Sequence, residues 1–151
     1  MRFVKLGFIS IIIIFLMFTV ISLFIPSSIN ISRAINLAAD SKKIVSQIQD
    51  TSTWKNWYPG YEQLIKSGTS ISFREEKENL VSVEFSKNSS SKKINSTWQV
   101  IPYHLSDSIT LQWSMQFKLN WYPWEKFGSL LYEKAYGQQM ETGLNNLKSQ
   151  L

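Results

Sequence analysis

One histidine stands in the chain, His104, in the stretch IPYHLSDS. A lone imidazole works as an acid or base only where other polar groups converge on it. Pro102 and Asp107 mark a turn around this one, so a solvated turn histidine is the better reading. The run REEKEN, residues 74–79, mixes its charges as a solvated hairpin does. It lacks the spacing with which several oxygen ligands converge on a hard metal ion. No cysteine is present, which removes disulfides, thiolate nucleophiles and cysteine metal sites together. There is no G-x-S-x-G, no H-E-x-x-H and no phosphate loop. No catalytic residue, metal ligand or cofactor is assigned from these residues.

Two other sets could make a binding site. Arg33 shares the parity of Ile29, Ile31 and Ile35 in INISRAINL. Two readings of it stand: a cation inside a cavity, holding a carboxylate or phosphate head group, or a strand-end or bulge residue reaching water over its apolar stem. The second set is aromatic. Rings make up 14% of the chain, six of them tryptophan, and the tripeptide WYP occurs twice, at 57–59 and 121–123. Trp57, Trp98, Trp113, Phe117, Trp121, Trp124, Phe127 and Leu131, with Arg33, form the candidate ligand-binding set. Such rings either line a pocket for an apolar ligand or simply fill a core. Those near the N-terminal apolar segment have a third possible setting, the bilayer interface, where Trp and Tyr are favoured.

The elements that must position them are read from periodicity. ITLQWSMQFKL, 109–119, alternates apolar and polar residues throughout, which predicts a long strand with one apolar face. INSTWQVI (94–101), LVSVEFSK (80–87), ISFRE (71–75) and INISRAINL (29–37) give four more one-sided strands. One-sided strands joined by short polar links argue for an antiparallel sheet. Two helical stretches are available to cover its apolar face. DSKKIVSQIQD has Asp40 as N-cap and Ile44, Val45 and Ile48 as its apolar face, followed by a turn carrying Trp54 and Trp57. After Pro123, apolar residues recur at helical spacing to Leu151, with a shift of the stripe that predicts a bend near Gly137. Glu125 and Glu133 fall off that stripe and are expected to face water. The order is that of an α+β domain.

Ahead of it, Leu6 to Ile25 runs without a charge and ends at Pro26. Twenty apolar residues rise about 30 Å as a helix, the thickness of a hydrocarbon core. A cleaved signal peptide has a shorter apolar region and a small-residue cleavage pattern, neither of which is seen. Residues 1–26 are therefore expected to be an uncleaved single-pass anchor and residues 27–151 the domain. Arg2 and Lys5 place the N-terminus in the cytoplasm and the domain outside, on the cytoplasmic (inner) membrane. The net charge of +5 includes those two residues, and with three arginines in the whole chain there is no basic stripe of the kind nucleic acid requires.

ISRAINLAADSKKIVSQIQDTSTWKNWYP resembles the opening of START-like (Bet v 1-like, polyketide cyclase/dehydrase, SRPBCC) domains, and WYPWEKFGSLLYEKAYGQQMETGLNNLK resembles their final helix. The middle strands match by pattern. The resemblance implies a helix-grip fold, a curved antiparallel sheet around a long C-terminal helix, enclosing an apolar cavity for a lipid or other hydrophobic small molecule. The domain is short for that fold, so a small or collapsed cavity is expected. The expectation is a membrane-anchored, non-catalytic binding domain. The alternatives are a cyclase- or dehydrase-like enzyme and a filled-core interaction domain of a membrane complex.

Overall fold

The computed structural model describes residues 2–87, 93–102 and 108–151, with the side chain of Arg2 left aside. His104, and residues 88–92 of the polar link 86–96 expected to join two strands, lie outside the described residues. The elements follow in the order α1 (Arg2–Leu23), β1 (Ser28–Leu37), α2 (Ser41–Gln49), α3 (Trp54–Trp57), α4 (Tyr61–Lys66), β2 (Thr69–Lys77), β3 (Leu80–Lys87), β4 (Lys93–Pro102), β5 (Ile109–Lys118), α5 (Pro123–Ser129) and α6 (Tyr132–Gln150). This is the α+β, helix-grip arrangement that the resemblance implies.

All five strands form one curved antiparallel sheet in the order β1-β5-β4-β3-β2. Period two puts one face of every strand inward, and the register aligns these faces into rows across the sheet. One row is Ile29, Phe117, Ile94, Phe85 and Ile71. Another is Arg33, Trp113, Trp98 and Val81. The register of β2 shifts between Phe73 and Glu75, a bulge that ends the clean alternation of that edge strand.

Asp40 caps α2 as expected, its side chain accepting from the Lys42 N–H, and Ile44, Val45 and Ile48 are buried. The short α4 was not anticipated; Gly68, at φ 64°, turns the chain from it into β2. The C-terminal stretch differs in a more instructive way. It breaks at Leu130–Leu131 into α5 and α6, ahead of the bend expected near Gly137, and α6 is continuous through that glycine. Met140, Leu144 and Leu147 of α6 join the core, together with Gly137 and Gly143 as close-approach points. α1 is long and apolar enough to cross a membrane, and almost all of it is exposed.

Candidate functional site

The space between sheet and α6 has two halves. Around the C-terminal half of α6 it is filled by rings. Trp54, Trp57, Trp98 and Trp113 are all fully buried, as is Phe85 beside them. Trp98 and Trp113, directly opposite in register, stack at 5.2 Å, and Trp57 meets both edge-on at 6.2 and 6.1 Å. Offset stacks and edge-to-face contacts are the arrangements the ring quadrupole favours. The Trp113 indole N–H donates to Ser96 Oγ at 2.7 Å, which explains a buried serine on the apolar face, and the Trp54 N–H donates to the Ile48 carbonyl at 2.8 Å. The buried N–H groups of Trp57 and Trp98 make no hydrogen bond among the described residues. The helix lies tightly on this cluster. A Cβ added at Gly143 would stand 2.8 Å from Trp113 Cζ3 and 3.1 Å from Pro59 Cδ. Between Gly143 and Trp113 a ligand could enter only by displacing a ring.

At the N-terminal half of α6 the rings are smaller and fewer. Tyr132 and Tyr136, one turn apart, meet Phe117 at 5.1 and 4.6 Å. A recess of about 120 Å³ opens there, lined by Ile94, Phe117, Leu119, Glu125, Tyr132 and Tyr136, with the exposed Lys93 and Lys118 at its edge. Its interior is apolar, and its polar groups are phenols and a carboxylate at one side. Deeper in, burial pushes the Tyr58 phenol well above its ordinary range, with the nearby Tyr136 a second cause. Tyr58 therefore stays neutral, a dipole at most.

Arg33 points inward from β1, but two carboxylates of α6 already hold it. Its Nε donates to Glu141 at 2.7 Å and its Nη2 to Glu133 at 2.6 Å, with Nη1 on the Ser32 carbonyl. Gly137 lies midway between those glutamates, and a Cβ there would collide with the guanidinium. These hydrogen bonds raise the Arg33 pKa further. The arrangement is a strand-to-helix clamp at the rim, with the carboxylates mostly exposed.

The candidate set thus divides. Trp57, Trp98 and Trp113 are brought together in the filled half, while Phe117 lines the recess. Trp121, Trp124 and Leu131 face away from the interior, 63%, 65% and 68% exposed. Phe127 packs edge-on against Phe18 of α1 at 5.5 Å. The two WYP tripeptides therefore differ in setting: Trp57 is core and Trp121 is surface. The apolar stripe from Trp124 to Leu131 is real, but it lies on α5 and the break after it, turned away from the core. Glu125, expected in water, is buried and accepts from Asn120 Nδ2 at 3.2 Å. Glu133 is exposed but engaged by Arg33. Of the recess residues only Phe117 was in the set; Ile94, Leu119, Glu125, Tyr132 and Tyr136 were not, nor were Lys93 and Lys118. The Tyr132-x-x-x-Tyr136 spacing, one helix face ahead of Met140, was the available signal.

No family model matches the chain, and no curated protein matches it. Solved structures do. A START superfamily protein from Mycobacterium smegmatis superposes with a TM-score of 0.58 at 14% identity, covering 80% of this chain and 95% of its own. XoxI from Bacillus cereus gives a TM-score of 0.53 at 12% identity, covering 80% and 93%. A protein from Chromobacterium violaceum gives 0.51 at 12%, covering 82% and 96%. Identities this low speak for the fold, and each neighbour is covered almost end to end. The chain shares with these structures the START-like, helix-grip fold.

Proposed function

We propose that residues 27–151 bind a hydrophobic small molecule or lipid without turning it over, and that residues 1–26 anchor this domain in the cytoplasmic membrane. The observation that carries the reading is the recess between β4, β5 and α6. At about 120 Å³ it is of the order of the apolar cavities that admit one benzene-sized ring, near 150 Å³. It suits a single ring or the end of an acyl chain rather than a whole lipid. At its edge Lys118 suits an anionic head group, while Lys93 beside it is paired with Glu84 at 3.0 Å. The Trp57, Trp98 and Trp113 cluster then serves as the wall that closes the far end, and Arg33 as a rim clamp rather than the head-group cation. Arg2 and Lys5 before α1 favour an N-terminus in the cytoplasm and a domain outside it.

A second reading, a structural or interaction domain with a filled core, draws on the tryptophan cluster and the tight seat of Gly143. The two separate in one experiment. The core cluster takes nothing from α1, so residues 27–151 are expected to fold alone. Native mass spectrometry of that domain should show a co-purifying apolar adduct. A clean domain that also leaves its fluorescence unchanged across a panel of fatty acids, lysolipids and polycyclic aromatics rejects binding and leaves the filled-core reading. A reporter fused to Leu151 tests orientation; activity only in the cytoplasm contradicts it.

A further inference from the structure

The segment around α5 is inside out. Its polar residues Glu125, Lys126 and Ser129 are buried, Lys126 only 4% exposed, while Trp121, Trp124, Leu130 and Leu131 project outward. Phe24, just beyond α1, is exposed as well. Large apolar side chains gathered on one outer surface mark an interaction face. What covers this one follows from its neighbour. The buried Lys126 Nζ donates to the Ile25 carbonyl at 2.8 Å and to Ser27 Oγ at 2.9 Å, tying α5 to the foot of α1. There a cation also answers carbonyls left open beyond a helix end. Phe127 rests on Phe18, which precedes the last residue of α1, Leu23, by five positions. At 1.5 Å per residue that is about 7.5 Å down the helix. Apolar faces of interfacial helices sink by a similar 5–10 Å, about the depth of the head-group and acyl boundary.

We infer that α5 and its flanks, from Trp121 to Leu131, lie in the interface of the bilayer that α1 crosses, with Trp121, Trp124, Leu130 and Leu131 in contact with lipid. The inference rests on the reading of α1 as a membrane span. Trp and Tyr are the side chains favoured at that depth, one end apolar and the other wet. Two independent facts agree on the occupant: the inverted burial of α5, and its attachment to the side of a helix of membrane-crossing length. The inner side of the same segment supplies Glu125 to the recess. The recess is thereby held beside the bilayer.

The chain has no cysteine, so a single introduced thiol carries a spin label uniquely. The full chain is reconstituted in phosphatidylcholine–phosphatidylglycerol vesicles and labelled in turn at Ile14→Cys, Trp124→Cys, Leu131→Cys and Lys66→Cys. Accessibility to lipid-dissolved oxygen is compared with that to an aqueous nickel chelate. The expected result is an oxygen-to-nickel ratio several-fold higher at Ile14, Trp124 and Leu131 than at Lys66, an exposed residue of α4. A lipid-like Ile14 with water-like Trp124 and Leu131 overturns the interfacial platform and leaves the anchor standing. Labels at Trp124 and Leu131 shielded from both reagents report a protein contact and overturn it equally. A water-like Ile14 removes the anchor itself, and the platform with it.

Discussion

At Gly143, α6 comes so close to the sheet that an added Cβ would stand 2.8 Å from the ring of Trp113, whereas nearer its start Tyr132 and Tyr136 prop it against Phe117 and leave a recess of about 120 Å³. The same helix and sheet thus make a closed interface at one end and an incomplete one at the other. The difference lies in the side chains. Four indoles supply enough area to fill the first half, and a glycine lets the helix settle onto them. In the second half the rings are carried by the helix, and the polar side of α5 closes the space only partly.

The largest effect should come from emptying the closed half. Trp113→Ala removes a fully buried ring and the Ser96 hydrogen bond, and a loss of about 3–5 kcal/mol is expected in urea unfolding of residues 27–151. Tyr132→Ala, at the edge of the recess, should cost less than half as much while abolishing retention of the co-purifying adduct. Equal losses would erase the distinction between the halves.

The two glycines of α6 give a finer comparison. Alanine gains about 1 kcal/mol of helix propensity at either position. At Gly143 the new methyl meets Trp113 and Pro59, neither able to move cheaply, so overpacking of about 1–3 kcal/mol should leave Gly143→Ala less stable than the parent. At Gly137 it meets only the end of the flexible Arg33 side chain, so Gly137→Ala should be close to neutral. The reverse order would place the tight half at the wrong end.

Arg33→Met should cost about 1 kcal/mol or less, because both glutamate partners are mostly exposed, and the loss should shrink with added salt. If the variant instead lost the adduct at unchanged stability, Arg33 would be a head-group ligand after all.

The smallest effect lies on the outer face of the sheet. Arg74 and Lys93 hold the Glu84 carboxyl below its ordinary range, at 2.6 and 3.0 Å. A depressed folded pKa contributes stability that is present above the unfolded value and lost as pH falls through the folded one. Thermal unfolding between about pH 6 and pH 2 should therefore show a shallower acid limb in Glu84→Gln than in the parent.

Period-two alternation made the five strands legible, because a half-buried strand writes its inner face directly into every second residue. Asp40 was legible as a cap for the same local reason. The split at Leu130–Leu131 was not. Trp124, Phe127 and Leu131 keep helical spacing, and spacing alone cannot say whether an apolar face looks toward a core or toward another helix and the surroundings. The partners of Arg33 were hidden by distance, since Glu133 and Glu141 lie 100 and 108 residues further along the chain. Only the fold brings them over Gly137. Whether the tryptophans line a space or fill it was equally out of reach, because it depends on how closely α6 settles.

The most direct test of a closed tryptophan half and a receptive tyrosine half is a titration of residues 27–151 with the fatty acid of best fit, followed by two-dimensional NMR of ring and indole signals. Ring resonances of Phe117, Tyr132 and Tyr136 should shift with ligand, while the buried indole N–H signals of Trp54, Trp57, Trp98 and Trp113 stay in place. Shifts centred on Trp57 and Trp98, with the tyrosines unmoved, would put the ligand in the half held here to be full.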